Sequence, residues 1–443
     1  MANEARETAG GAVRVRGRMR LPVELRAFWV ASLAAFALTF LVGWLKYRAG
    51  QSWYNWDPLS DPLFGDLDEY HVTYTLLHTA AFFFNVAGRP WPYPLWGAVA
   101  YPPFAAAVMA PLYRFPIPIL LYLIAAGAWL AAVVGWAIRG LMRVGMGAAT
   151  AVLLPLTLVA ISFPVERLVH EGNIELVMWV FTALGVWAWW RGHDDAAAVL
   201  WGLAAAMKLF PMVLLILLLP RGKWRAFAAG VGTFVGATLL SLWWLGPSLG
   251  VAWRGSLENV FGYQSVRVSE WTLRELVANH SVMGLAKMAA LVAHFPLDKM
   301  TLPYYACGAL AMGVAFFGKL WKMPAANQLL AVSAFMVMFP PISYYLTLTH
   351  LYAPLAVLAR VAIRAEQAGV RVRGLLGTML LFVPLFTAFT VTTYPQVLVY
   401  CGLVQAVVLV GLFCCALEYP FAVGGTDQRI RAGGGVRSRG EDF

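Results

Sequence analysis

The chain of 443 residues is 61% hydrophobic and only 12% charged, whereas a soluble domain is about half apolar and about a quarter charged. This composition excludes an ordinary soluble enzyme and predicts an integral membrane protein. The net charge of +11 does not indicate nucleic-acid binding, because the lysines and arginines stand in short loops and tails beside apolar segments, where they mark topology.

Apolar stretches long enough to cross a bilayer, about 20 residues each, recur from Phe28 to Leu417. The sequence therefore predicts an all-α polytopic membrane protein with about 10 to 12 transmembrane helices. Arginines crowd the tail before the first span, about 27–46, and also follow the last span. Both termini are thus predicted to be cytoplasmic. We divide the chain into a basic tail (1–26), a membrane domain (27–420) and a second basic tail (421–443).

Two apolar segments allow more than one interpretation. Residues 98–116 are short and interrupted by prolines, so they either cross the membrane or re-enter it. Residues 196–220 carry Lys208 and Pro211 near the middle. They form one kinked helix or a pair of half-helices, because proline removes a backbone donor and clashes with the preceding turn. A lysine inside an apolar segment either snorkels to the headgroups or indicates a functional site.

Two predicted external segments, about 46–101 and 246–279, are long enough to hold structure. The first contains "DPLSDPLFGDLDEY" (57–70), which gathers acids in a chain that otherwise avoids charge. It continues into residues 72–88, an apolar and aromatic run typical of a helix lying in the membrane interface. Each acid alone could be a solvated loop charge. A carboxylate beside a hydroxyl can also act as a general base, and we expect one of these acids to do so.

Three further polar clusters stand at predicted helix ends and are predicted to face the same side as the acids. They contain Arg167 and Asn173, then His280, then His350. A single histidine at a membrane interface is more often structural, but together the clusters would supply the donors and cations that a departing phosphate needs. Lys208 is predicted to hold the anionic head of a lipid-phosphate donor, because an ammonium binds phosphate as a point charge.

Nucleotide-binding motifs are missing from the sequence: neither "GxxxxGKS" nor "GxGxxG" occurs. The chain thus has no cytosolic nucleotide fold with which to use a sugar nucleotide. We infer that an activated donor comes from the membrane. The Asp66-Leu67-Asp68 pattern is a weak metal signal, and the predicted chemistry requires neither a metal nor another cofactor.

Six motifs in fixed order resemble a known superfamily. They are "GDLDEY", "AYPPFAA", "EGNIELVMW", "WGLAAAMKLFPMVLLILLLPRGKWRA", "ANHSVMG" and "PPISYYLTLTHLYAP". Together they resemble the polytopic GT-C glycosyltransferases, and most of all the polyprenyl-phosphate-mannose-dependent α-mannosyltransferases of glycosyltransferase family 87, over roughly Asp66 to Pro354.

The resemblance implies a GT-C-like helical bundle with extracytoplasmic loop helices in the cell membrane. It also implies an inverting, metal-independent transfer of a mannosyl or related residue from a polyprenyl phosphate to a hydroxyl of a lipid-linked glycan or glycolipid, at the extracytoplasmic face. The partners would be these two substrates and the membrane lipids, with no nucleic acid.

The resemblance also suggests roles for individual residues. Asp66 with Tyr70 fits the family's Asp-x-x-x-Tyr pattern for the general base, with Asp68 in reserve. Lys208 falls on the family's Lys-x-x-Pro position, and His350 would contact the donor phosphate or the acceptor. The predicted substrate-binding residues are Tyr70, Arg167, Asn173, Lys208, His280 and His350.

The main alternative is a transporter or flippase for a lipid-linked sugar or another anion, with Lys208 in a broken-helix binding site. That alternative explains the central lysine. It gives no role to the acidic and aromatic external segment. A relative with the same chemistry and a different acceptor also stays open.

Overall fold

The computed structural model describes residues 19–48, 78, 101–269, 279–387, 392–393, 397–398 and 401–423. The α-helices of this described part are α1 (Val23–Arg48), α2 (Pro103–Met109), α3 (Pro118–Arg143), α4 (Ala148–Ala160), α5 (Phe163–Glu171), α6 (Glu175–Trp190), α7 (Asp194–Met207), α8 (Trp224–Leu245), α9 (Leu249–Ser269), α10 (Val282–Val292), α11 (Thr301–Gly318), α12 (Ala325–Met338), α13 (Tyr352–Ala368), α14 (Leu375–Leu380), α15 (Val383–Phe386) and α16 (Cys401–Glu418). The 3₁₀ helices are Ala110–Arg114, Phe210–Arg221, Leu297–Lys299, Leu320–Lys322 and Tyr345–Leu351. Two short strands, β1 (Thr392–Thr393) and β2 (Val397–Leu398), pair antiparallel.

Five stretches among these ranges are long and apolar enough to cross a bilayer, and α4 with α5 forms a sixth candidate bent by 56°. The five are Val23–Val42, Pro118–Arg143, Trp224–Leu245, Thr301–Lys322 and Tyr345–Ala368. Large apolar side chains such as Trp243 and Leu302 are more than two-thirds exposed, as expected for surfaces that face lipid. The prediction of an all-α polytopic membrane protein is confirmed. The count of 10 to 12 crossings, the orientation and the three-part division stay predictions.

The structure describes residues 101–116 of the proline-rich segment 98–116. From Pro103 the chain forms α2 and then the 3₁₀ helix Ala110–Arg114. At 1.5 Å per residue in α2 and 2.0 Å in the 3₁₀ helix, the two together reach about 20 Å. That length is short of the roughly 30 Å hydrocarbon core, so α2 and this 3₁₀ helix together do not span it.

The segment around Lys208 forms a hairpin of two half-helices, which we call the 194–221 hairpin. Its first arm is α7 and its second arm is the 3₁₀ helix Phe210–Arg221. Extended backbone at Lys208, with φ −150° and ψ 139°, separates the arms. The Arg221 Nη1 atom lies 2.9 Å from the Asp194 Oδ1 atom. Since this contact joins the end of the second arm to the start of the first, the arms run antiparallel and Lys208 lies at the tip.

Close helix packing fixes the position of this hairpin. A Cβ atom on Gly202 of α7 would lie 2.4 Å from the carbonyl oxygen of Gly230 of α8, so both backbones approach as only small residues allow. The hairpin also contacts α6 and α12, and α12 is buried on all sides from Ala326 to Met338. The tip therefore stands on a rigid, fully packed support.

Candidate functional site

The turn between α5 and α6 places an acid at the start of an apolar helix. Gly172 ends α5 with φ 66°, a left-handed conformation that glycine adopts without strain. The Asn173 Oδ1 atom then accepts a hydrogen bond from the Glu175 backbone N–H at 2.8 Å. Glu175 thus begins α6, where the helix dipole favours a negative charge. The Asn173 amide also donates to the Tyr101 hydroxyl at 3.3 Å.

The Glu175 carboxylate is completely buried and contacts two side chains from other elements. Its Oε1 atom lies 2.6 Å from the Lys208 Nζ atom and its Oε2 atom 3.1 Å from the His350 Nε2 atom. The other ring nitrogen of His350 lies 2.8 Å from the Thr182 Oγ1 atom, and the Lys208 ammonium stands 5.1 Å from the centre of the Tyr101 ring. We call these five residues the Glu175 cluster.

The side chains of this cluster differ in how far they are exposed. The side chains of Glu175 and His350 have no exposed surface, whereas that of Lys208 is 22% exposed. A buried carboxylate without partners would be very costly, and here both of its oxygens are engaged. Of the three ionisable side chains of the cluster, that of Lys208 is therefore the one with exposed surface.

A second polar cluster adjoins the first through the 3₁₀ helix Tyr345–Leu351. Three residues per turn place Thr347 and His350 on the same face of this helix. The Thr347 hydroxyl lies 3.0 Å from the His280 Nε2 atom, and the Ser343 hydroxyl lies 3.0 Å from the same nitrogen. The Asn279 amide supports this loop by donating to the Pro341 carbonyl oxygen at 2.9 Å.

His280 is completely buried, and burial lowers its pKa from about 6.5 to about 3. It is therefore a neutral imidazole at physiological pH. Within the described residues its Nδ1 atom is buried without a hydrogen-bond partner. This geometry is that of a histidine that orders the loop before α10.

The structure brings some of the predicted site residues together and not others. Lys208 and His350 meet at Glu175, and Asn173 stands beside them. His280 joins them indirectly, through Thr347 on the helix that carries His350. Arg167 lies on α5 and pairs with Glu171 one turn later. Asp66, Asp68, Tyr70 and, apart from residue 78, the predicted interfacial helix 72–88 lie outside the described residues. The roles assigned to all of these residues stay predictions.

Glu175 is the central residue that the sequence analysis did not single out. The sequence does contain an indication of it: Glu175 is an ionisable residue directly before the apolar run of α6. An ionisable residue at such a position indicates a functional site, as Lys208 does. In the described ranges no three side chains of His, Cys, Asp or Glu are arranged to hold a metal ion. Metal independence stays a prediction.

An open apolar groove of about 510 Å³ lies between α2, α7 and α8. Phe104 lines it on α2, three residues after Tyr101, and Leu203 lines it on α7. Leu203 precedes Lys208 by five residues, which is about 7.5 Å along a helix axis. The groove therefore lies on α2 and α7, the helices next to Tyr101 and Lys208 in the chain.

Comparison with known proteins matches this chain to one family. The model of glycosyltransferase family 87 matches residues 99–341, which is more than half of the chain. A similar protein is the polyprenol-phosphate-mannose-dependent alpha-(1-2)-phosphatidylinositol pentamannoside mannosyltransferase of Mycolicibacterium smegmatis, 26% identical over 196 residues. The match covers 37% of this chain and 45% of that relative, so the chain spans less than half of the relative's length. No solved structure matches the chain. On the family match, the chain belongs to glycosyltransferase family 87.

Proposed function

We propose that the protein is a membrane glycosyltransferase that moves a mannosyl or related residue from a polyprenyl-phosphate donor to a hydroxyl of a lipid-linked glycan or glycolipid. Family membership and the name of the M. smegmatis relative support this proposal. The observation that carries it is the partly exposed side chain of Lys208 at the tip of the 194–221 hairpin, next to a helix that lines an apolar groove.

This arrangement matches the two chemical parts of a polyprenyl phosphate. Lys208 is held between the Glu175 carboxylate and the Tyr101 ring and keeps 22% of its side chain exposed, so it can contact a phosphate as a point charge. The groove between α2, α7 and α8 has almost entirely apolar walls and can bury an isoprenoid chain. We therefore place the phosphate at Lys208 and the lipid tail in the groove, because α7 lines the groove and leads directly to Lys208.

The reaction that we propose is a direct displacement with inversion. The acceptor hydroxyl attacks the anomeric carbon from the face opposite the phosphate, and its proton passes to the carboxylate of Asp66, with Asp68 as the reserve base. The bond from the anomeric carbon to the phosphate oxygen breaks, and the polyprenyl phosphate leaves with the electron pair. Lys208 offsets the charge that develops on this leaving group. The scheme uses no metal.

The remaining predicted residues take supporting parts in this proposal. Tyr70 accompanies the base, and Arg167, Asn173 and His280 help to shape the substrate site. The positive-inside pattern of the loops supports an active site at the extracytoplasmic face of the cell membrane with both termini inside.

The proposal is tested with purified protein, radiolabelled polyprenyl-phosphate mannose and a lipid-glycan extract. We expect a labelled glycolipid, and we expect Lys208→Gln to reduce turnover while Lys319→Gln, which changes a half-exposed lysine, does not. Asp66→Asn should abolish turnover with the melting temperature unchanged, and Asp195→Asn, an exposed acid of α7, serves as its control.

Three outcomes contradict parts of the proposal. Loss of turnover in Asp68→Asn but not in Asp66→Asn moves the base by two residues. Wild-type turnover in both variants shows that neither acid is the base. Protein in vesicles that translocates the labelled lipid without forming a product is a carrier, and the enzyme proposal is then wrong.

A further inference from the structure

Tyr101 stands two residues before the start of α2 and contacts the ammonium of Lys208. Its ring centre lies 5.1 Å from the Lys208 Nζ atom, a distance at which the face of an aromatic ring attracts a cation. Both side chains are partly exposed. The oxygen of an anion bound to Lys208, about 2.8 Å from the ammonium, would stand no more than about 8 Å from the centre of the Tyr101 ring.

Tyr101 also packs beside residues that line the apolar groove. Four buried residues from α2, α8 and α9 form a small apolar cluster, which consists of Ala106, Leu242, Leu245 and Ala252. Tyr101 packs against this cluster together with Ala107 and Trp244, and both of these side chains line the groove. Tyr101 therefore contacts the cation to which we assign the phosphate and shares an apolar cluster with two walls of the groove.

Asn173 fixes the position of the Tyr101 ring. The Asn173 Oδ1 atom accepts the Glu175 backbone N–H, so the amide nitrogen is the atom that faces Tyr101. This nitrogen donates to the Tyr101 hydroxyl oxygen at 3.3 Å. Asn173 is buried, and the Tyr122 hydroxyl lies 3.2 Å from its carbonyl oxygen. The Tyr101 ring is thus held in place before a ligand arrives, which lowers the entropy that binding costs.

We propose that Tyr101 is a donor-binding residue whose ring contacts the first isoprene unit of the polyprenyl phosphate, next to the phosphate at Lys208. This inference rests on the proposed function for the identity of the lipid. A polyprenyl phosphate changes from a charged group to a hydrocarbon chain at its first unit, and its binding site must change in the same way. An aromatic ring suits this position, because its face attracts the ammonium and the rest of its surface buries hydrocarbon.

The contribution of the ring is tested by binding of farnesyl phosphate to the full-length protein in nanodiscs. Tyr101→Leu should raise the Kd about tenfold, because it removes the cation–π contact and the flat apolar surface together. Tyr101→Phe keeps the ring and loses one hydrogen bond, so the Kd should rise by about threefold at most. The matched control is Tyr305→Leu, which changes a partly exposed tyrosine of α11 and should leave the Kd unchanged. An unchanged Kd in folded Tyr101→Leu, or equal rises in the two Tyr101 variants, contradicts the inference.

Direct contact is tested by photocrosslinking, because a variant that merely displaces Lys208 would also bind the ligand more weakly. The probe is a prenyl phosphate with a diazirine on its first isoprene unit. It should label Tyr101 in the wild-type protein, and unlabelled farnesyl phosphate should prevent the labelling. A probe with the diazirine on its last unit should instead label residues that line the groove, such as Leu240. A bound first-unit probe that labels the groove and not Tyr101 overturns the inference, whatever the Kd values.

These outcomes separate the inference from the proposed function. Wild-type protein that binds farnesyl phosphate through Tyr101 but forms no glycolipid contradicts the enzyme proposal and leaves the inference standing, because a carrier of the same lipid needs the same contact. Wild-type protein that forms a glycolipid while Tyr101→Leu binds farnesyl phosphate normally contradicts the inference alone. Wild-type protein that binds no prenyl phosphate contradicts both.

Discussion

Removing the ammonium of Lys208 should destabilise the protein far more than removing that of a half-exposed lysine. Methionine at position 208 keeps most of the side-chain stem and deletes the charge that lies 2.6 Å from the buried Glu175 carboxylate. Breaking a buried ion pair from one side costs about 3 to 5 kcal/mol. We take the lower end, about 3 kcal/mol, because Lys208 is 22% exposed and His350 remains on the other carboxylate oxygen.

The assay is unfolding in detergent by heat or denaturant, with Lys319→Met as the matched control. Lys319 pairs with Glu418 at 3.7 Å, and both side chains are at least half exposed, so its loss should change the free energy of unfolding by less than about 1 kcal/mol. The double variant Lys208→Met with Glu175→Gln removes the stranded carboxylate. It should regain most of the lost stability, because replacing both partners avoids an uncompensated charge.

Two results would refute this reasoning. Lys208→Met could prove no less stable than Lys319→Met, and the Glu175 carboxylate would then not depend on its lysine. The losses of Lys208→Met and Glu175→Gln could also add in the double variant, which would mean that the two side chains do not interact.

Two more predictions concern the base of the hairpin and the second cluster. Asp194→Asn should lower the free energy of unfolding by about 3 kcal/mol, because it leaves Arg221 buried without its carboxylate. Asp195→Asn, at the exposed neighbouring position, should change it little. Equal effects in the two variants would contradict the role of the Asp194–Arg221 pair. As the pH falls below 6.5, the free energy of unfolding of the wild-type protein should decrease relative to that of His280→Gln by about 1.4 kcal/mol per pH unit. The reason is that His280 binds a proton in the unfolded chain, whereas in the folded protein its pKa is about 3 and it stays neutral. Parallel plots of the free energy of unfolding against pH for the two proteins would contradict the burial of a neutral imidazole.

The sequence predicted those features that follow from hydropathy and local chemistry. The all-α class and the first span, about 27–46, agree with α1, and Lys208 was singled out because charge is costly inside an apolar segment. The sequence could not choose between a kinked helix and two half-helices, because Pro211 is compatible with both. The contact between Asp194 and Arg221, which are 27 positions apart, shows that the two half-helices form a hairpin.

The centre of the site could not be predicted because its contacts are distant along the chain. Glu175 contacts Lys208, which is 33 positions away in the sequence, and His350, which is 175 positions away. Taken alone, an acid in the first turn of a helix is an ordinary stabilising residue, and nothing in "EGNIELVMW" shows which cations it will contact. His350 was expected at the substrate. The 3₁₀ helix that carries it turns its side chain toward Glu175, where the ring is buried, and its role at the substrate stays a prediction.

The unusual geometry of the second hairpin arm explains how Lys208 is held at the tip. The 14 residues of α7 extend about 21 Å at 1.5 Å per residue. A return arm of 12 residues would cover only about 18 Å as an α-helix, but about 24 Å as a 3₁₀ helix at 2.0 Å per residue. As a 3₁₀ helix the arm is long enough to return from the tip to the start of α7, where Arg221 meets Asp194. Long 3₁₀ helices are uncommon because their hydrogen bonds are poorer, so the packing and the ion pair at the base must compensate. The position of the ammonium is therefore set from both ends of the hairpin, by Glu175 at the tip and by Asp194 at the base.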